Sequence, residues 1–187
     1  MQLMKTHTLL ASLLILALGA CDYHSTRDEF DHQIDVCTLA QVNGLLAEAV
    51  EACGAALAIA EEEEYEPELV SILLYRLGRL ERQRGKFQEA QALVERSLPL
   101  QEQRGDQAAV AVRLVELSLI MAGQGRWTEG AKQLERAAPI VGDLTDDRER
   151  KAAANAFRGF SKRLARQGES GQAEQFEAKA EELLAGS

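Results

Sequence analysis

Two cysteines pose the first chemical question. Cys37 and Cys53 lie 16 residues apart and flank Gly44-Leu45 almost symmetrically. If the chain reverses at that glycine, residues equidistant from the turn face each other. The pair then either closes a disulfide over a loop of about 16 residues, contributing on the order of 3 kcal/mol, or sits as two buried free thiols in apolar surroundings. Neither cysteine has a Cys-x-x-Cys spacing or the basic neighbours that lower a thiol pKa, so thiol catalysis is not expected. The third cysteine, Cys21, ends an apolar run, and His24 and His32 are the only histidines beyond it. No Ser-His-Asp constellation, zinc-ligand spacing or phosphate-cradling glycine loop accompanies them. These residues predict a protein that is not an enzyme and that needs neither a metal nor a cofactor.

The remaining side chains with chemistry to offer are basic and fall into two stripes. Tyr75, Arg79 and Arg82 are spaced by four and three, and Arg158, Lys162 and Arg166 by four and four, so on helices each set shares one face. Ser71–Arg84 holds four arginines against one glutamate, and Asp147–Arg166 holds seven basic residues against two acidic ones. The chain around them is acidic, with a formal charge of −9. Lys5 is the only charged residue before Cys21, so the part from Cys21 onward carries 20 basic and 30 acidic residues, or −10. Such a balance argues against nucleic acid as a ligand. Two readings of the stripes stand side by side. They are either solvated faces paired with neighbouring acidic helices, or a surface for carboxylates, which arginine holds through bidentate contacts. Glu61–Glu68, EEEEYEPE, reads as a solvated acidic connector rather than a cation site.

The elements that must carry these stripes are helices, and they repeat. Gly85–Leu100, GKFQEAQALVERSLPL, aligns without a gap on Gly125–Ile140, GRWTEGAKQLERAAPI, forty residues on. The unit recurs upstream at Gly44, at a spacing of 41, and downstream at Gly168, at a spacing of 43. It consists of a glycine for a tight turn, an apolar residue two on, and a small residue five on that lets the next helix lie close. Self-similarity of this period predicts an array of helical hairpins, and a composition rich in Ala, Leu, Glu, Gln and Arg favours helix throughout. The expected pairs are Phe30–Asn43 with Gly44 to about Ala60, Glu68–Arg84 with Phe87–Gln103, Gln107–Gly123 with Thr128–Val141, and Asp147–Gln167 with Gly171–Ala185. Pro99 and Pro139 should kink or break their helices, and Trp127 should be largely buried under its turn. The single apolar stripe of the last helix suits the end of a stack, where no further repeat covers the other face.

The pattern resembles the tetratricopeptide repeat (TPR) family. Leu74, Leu77, Gly78, Gly85, Phe87, Ala90 and Val94 fall on that family's signature positions in the second repeat. Leu114, Leu117, Ser118, Gly125, Trp127, Gly130 and Leu134 do so in the third, and Phe157, Phe160, Ser161, Gly168 and Ala173 in the fourth. Spacings of 40 to 43 exceed the usual 34 and resemble the longer-helix variants of kinesin light chains. The resemblance implies an all-α fold, a right-handed superhelical array of about four antiparallel hairpins (30–66, 67–106, 107–145 and 146–187), with the first repeat degenerate. In that family the first helix of each pair lines a concave groove. The same register here implies Tyr75, Arg76, Arg79 and Arg82, then Val112, Val115 and Leu119, then Arg158, Lys162 and Arg166, with Val115 and Leu119 as an apolar floor. A peptide segment bearing carboxylates would suit it.

The amino terminus reads as an address. Met1–His7 carries one positive charge, Thr8–Leu18 is a weakly polar to apolar run too short to favour a mature transmembrane helix, and small residues follow, the layout of a secretory signal. Leu18-Gly19-Ala20-Cys21 looks like the lipobox of bacterial lipoproteins. That resemblance implies removal of residues 1–20 and lipidation of Cys21, and multiple acyl chains anchor stably where one does not. Asp22 resembles the inner-membrane retention signal of enteric lipoproteins and favours that membrane over the outer one. Residues 21–29 would form a short polar tether, and residues 30–187 the repeat domain. The expectation is a membrane-anchored, periplasm-facing, non-catalytic adaptor or assembly factor for another envelope protein. The alternative is an envelope protein that assembles with copies of itself.

Overall fold

The computed structural model describes residues 26–185. The apolar leader, the lipobox with Cys21, and Asp22 lie outside the described residues. Within them the chain forms α-helices, one short 3-10 turn and no strand. It divides after Tyr65 into two units.

The first unit is a hairpin of α1 (26–42) and α2 (Leu46–Glu62). Helix α1 already includes residues 26–29, ahead of the expected Phe30, so these are helical rather than irregular tether. The Cys37 and Cys53 sulfurs are bonded, with Cα atoms 5.2 Å apart, and both side chains are fully buried. The interior around them is thin: Ala40, Ala49, Ala52, Ala56 and Ala60 with Leu57, closed by Phe30 edge-to-face on Tyr65 at 5.0 Å. Alanine cores bury little apolar area, so the cross-link supplies a large share of this unit's stability. Reduction should therefore lower its stability by about 3 kcal/mol. Thermal melts of oxidised and reduced chain, followed by circular dichroism, check this; superimposable curves would remove the cross-link's structural role.

The second unit holds three hairpins: α3 (Pro67–Gln83) with α4 (Phe87–Arg104), α5 (Gln107–Gly123) with α6 (Trp127–Ala137), and α7 (Asp147–Gln167) with α8 (Ser170–Ala185). Each first helix also packs on the next, α3 on α5 and α5 on α7. Helix α5 is the centre. Every residue from Val110 to Ser118 is buried, so its hydrophobicity has lost the one-sided pattern of a surface helix.

The repeated glycine has a specific task. Gly85 and Gly125 have φ of 76° and 80°, the left-handed conformation that ends a helix. The following amides donate back five residues, Lys86 N to Glu81 O at 2.9 Å and Arg126 N to Met121 O at 2.8 Å. The small residue five on is equally constrained. A Cβ on Gly130 would lie 2.8 Å from the Ser118 carbonyl oxygen and 2.7 Å from Phe160 Cζ. Backbone cannot yield there, so α6 approaches α5 closely only because Gly130 has no side chain.

The prolines behave differently from each other. Helix α4 runs through Pro99 without a break, because Pro99 and Glu95, whose carbonyl it leaves without a donor, both face solvent. Helix α6 stops at Ala137, before Pro139, rather than reaching Val141. The chain turns there into a 3-10 segment, Val141–Asp143, which places Val141 and Leu144 in the core. Trp127 is half-buried rather than largely buried. It packs against Phe160 with ring centroids 5.0 Å apart and planes tilted by 58°, while the Arg163 guanidinium covers its ring at 5.4 Å.

Candidate interaction surface

Three first helices, α3, α5 and α7, carry the residues assigned to the groove. Helix α3 is amphipathic: Leu73, Leu74, Leu77, Gly78 and Leu80 turn inward, and Tyr75, Arg76, Arg79 and Arg82 lie at its half-buried edge. Pro67 starts it at a position where a missing N–H costs nothing. Asp106 caps α5 by accepting from Ala109 N at 2.9 Å, and Asp146 caps α7 by accepting from Arg148 N at 2.7 Å and Glu149 N at 3.2 Å. Those two amides hold the exposed Asp146 carboxyl below its usual range.

Where the stripes meet α5, they meet charges that sequence reading passed over. Arg113 is 4% exposed and has no carboxylate bonded to it. Its Nε donates to Ser97 Oγ at 2.9 Å, Nη1 to the Ala109 carbonyl at 3.0 Å, and Nη2 to Ser71 Oγ at 3.3 Å. Ser71 and Ser97 in turn bond each other at 2.9 Å across α3 and α4. The face of the Tyr75 ring closes the site, 4.8 Å from the Arg113 guanidinium and 5.6 Å from that of Arg79. One turn along α5, the buried Glu116 accepts from Arg82 Nε at 2.5 Å. The clue was present in QAAVAVRLVELSLIMAG. Two opposite charges three residues apart in an otherwise apolar helix must find partners if that helix is buried.

The structure therefore sorts the stripe residues by what they already hold. Arg82 ties α3 to α5 through Glu116. Arg158 Nε is held at 2.9 Å by Glu177 of α8. Tyr75 offers its ring to two guanidinium groups, those of Arg79 and Arg113. Val112 and Val115 are core residues, so the apolar floor expected at Val115 and Leu119 is reduced to the half-buried Leu119. Arg76 is half-buried, and burial holds its guanidinium below the usual range. Arg79 lies over the Tyr75 ring. Lys162 and Arg166 are exposed and make no ion pair among the described residues. The open groups thus sit on one edge of α3 and on the last turns of α7.

Tyr75 gives this arrangement a titratable signature. Burial pushes its phenol well above the ordinary value of 10.0, with Glu116 and Glu149 adding to the rise and Arg79 and Arg113 opposing it. The folded state then keeps a proton that the unfolded state loses above about pH 10. Stability is fully present below that pH and falls as pH rises beyond it. Between about pH 9 and pH 11 the melting temperature of wild type should fall more steeply than that of Tyr75→Phe. Parallel slopes would place Tyr75 in water.

Comparison with known proteins agrees with this geometry. The tetratricopeptide repeat family matches residues 30–103. No curated protein matches the chain. Among solved structures, the nearly identical TPR-like repeats of a kinesin-light-chain candidate from Podosopora anserina superpose with a TM-score of 0.62 at 19% identity, covering 83% of this chain and 75% of that one. A variant of the same repeats with one residue changed gives 0.64 at 19%, over 83% and 74%. MamA gives 0.59 at 16%, over 83% and 78%. At such identities the likeness speaks for the fold, and the fold it speaks for is the one the glycine register and helix pairing describe. Over residues 30–103 the chain matches the tetratricopeptide repeat family, and the helical array of the described residues has the fold of such repeats.

Proposed function

We propose that this protein is a lipid-anchored, periplasm-facing adaptor that binds a carboxylate-bearing segment of another envelope protein without catalysing a reaction. The observation that carries the binding half is the set of cations on the first helices that internal ion pairs leave open, Lys162 and Arg166 with Arg79. A TPR array offers its first-helix face to partners, and in a chain of net charge −9 these groups are locally basic. Guanidinium and ammonium groups at a partly open surface select carboxylates and lose affinity as salt rises. The anchoring half rests on Leu-Gly-Ala-Cys at the end of the apolar run, with Asp22 favouring the inner membrane. Residue 26, five residues after Cys21, is already helical, which would hold that helix within roughly 20 Å of the bilayer surface.

Two experiments test the halves separately. Cys21→Ala should abolish acyl labelling in a bacterial host and leave an uncleaved precursor; unchanged labelling would refute the lipoprotein reading. Arg79→Glu with Lys162→Glu should weaken capture of the cross-linked envelope partner about tenfold or more, with the melting temperature nearly unchanged, because surface substitutions usually cost less than ~0.5 kcal/mol. Capture that persists at full strength would move the partner site off the first helices.

A further inference from the structure

The last turns of α7 present a basic face with no charge opposite it. Lys162, Arg163 and Arg166 are all exposed and make no ion pair among the described residues; Arg163 only covers the Trp127 ring. Several other arginines in this unit are met by carboxylates: Arg104 by Glu68 at 2.6 Å, Arg136 by Glu102 at 3.1 Å, Arg158 by Glu177 at 2.9 Å. The chain also carries a complementary element. Glu62, Glu63 and Glu64 form an exposed run at the end of α2, likewise without ion pairs among the described residues. We propose that the α7 face is the docking site for the Glu62–Glu64 turn of a second copy of this chain.

Three features of that turn favour a cationic partner over plain solvent. It carries three consecutive carboxylates, Glu62, Glu63 and Glu64. They sit at a helix C-terminus, where the helix dipole disfavours negative charge and no basic residue occupies the last turn. And Glu64, at φ 50°, is the one described non-glycine residue with positive φ. Gly44, Gly85, Gly105, Gly125 and Gly168 serve the corresponding turns, and the amide after Glu64 makes the same backward bond, Tyr65 N to Ala60 O at 2.9 Å. A glutamate thus stands where the rest of the chain uses glycine, against local preference, which is expected of a functional position. A metal ion is a poor fit for the turn, since among the described residues no group of acidic or thiol side chains is arranged to hold one. The ammonium and guanidinium groups of α7 fit it in sign, number and exposure. Turn and face are different patches, so each copy offers both halves of the contact.

Net charge sets the salt dependence. At about 10 mM salt the Debye length is roughly 30 Å and whole-molecule repulsion opposes association. Near about 0.1 M only the close complementary contact survives screening, and near about 1 M that contact weakens too. Association should peak at intermediate salt.

The decisive test is a charge exchange on the full chain in detergent, read by sedimentation velocity. Wild type should grow in mass with concentration at about 0.1 M salt. Lys162→Glu/Arg166→Glu and Glu62→Lys/Glu64→Lys should each remain monomeric with wild-type helicity, and an equimolar mixture of the two should associate again. Association that persists in either variant, or a mixture that stays monomeric, would overturn the proposal. A variant that failed to fold could not be rescued by mixing, so rescue excludes that explanation. The site shares α7 with the adaptor reading but does not require it. Glu62→Lys/Glu64→Lys leaves the first helices of residues 66–185 intact, so it should lose self-association while still capturing an envelope partner if both readings hold.

Discussion

Everything in the 66–185 unit depends on how closely the second helix of a hairpin can approach the first. At Gly130 the space for a Cβ is already taken by the Ser118 carbonyl oxygen and the Phe160 ring. At Gly78 the same space is filled by Val94 Cγ2 at 2.6 Å and the Ala90 carbonyl at 3.2 Å. These are reciprocal versions of one constraint. A small residue on one helix admits the backbone or a branched side chain of its partner, and the dense contact that results carries dispersion and hydrophobic energy that a separated pair would forfeit. The left-handed glycine at the turn sets the angle, and the small residue sets the distance. Together they fix where α3, α5 and α7 lie, and so which side chains reach the outer face.

A second layer of constraint is polar. Three stacked hairpins of similar composition could slide by a turn with little hydrophobic loss, since leucine, valine and alanine recur along every helix. The Ser71–Ser97–Arg113 cluster and the Arg82–Glu116 pair do not tolerate such a slide. Each contains a buried charge that is satisfied in one register and stranded in others, and stranding a buried charge costs roughly 3–5 kcal/mol. Arg113 is held by hydroxyls, a carbonyl and an aromatic face in place of a carboxylate, and its guanidinium remains charged although burial lowers its pKa. The interface between the second and third repeats is thereby keyed as well as packed.

The hairpin pattern was legible in the sequence because glycine spacing and apolar phase report on backbone geometry, which is local. Helix α5 was placed to the residue, since Asp106 and the Gly125 turn bracket it. The ends that differed were those where distant packing decides. Residues 26–29 extend α1 beyond the polar tether that composition suggested. Pro139 ends a helix while Pro99 does not, because one lies where Val141 and Leu144 can drop into the core and the other faces water. On the candidate surface, periodicity put Tyr75, Arg79 and Arg82 on one helical face but could not say what opposes it. Arg82 and Arg158 are drawn into pairs by carboxylates on other helices, and Val115 into the core by the helices around α5. No window of helical spacing contains those partners.

This division of the basic residues bears on how a mostly acidic protein can keep an attractive face. Around Tyr75 the charges nearly cancel: Arg79, Arg82 and Arg113 stand against Glu116 and Glu149, the groups that act on its phenol or pair beside it. The remaining surplus of one positive charge sits in a region where burial reduces screening, so its field extends further than that of a solvated side chain. At the last turns of α7 the balance is different, with Lys162, Arg163 and Arg166 in water and no carboxylate bonded to any of them among the described residues. A buried, nearly neutral network there and an exposed, uncompensated cluster here do separate work. Within the first, Arg82, Arg113 and Glu116 hold the repeats in register and cannot be given to a ligand without loosening the fold. The second costs the fold little to leave open, and that is the physical condition for a surface that can be occupied and vacated while the protein stays folded.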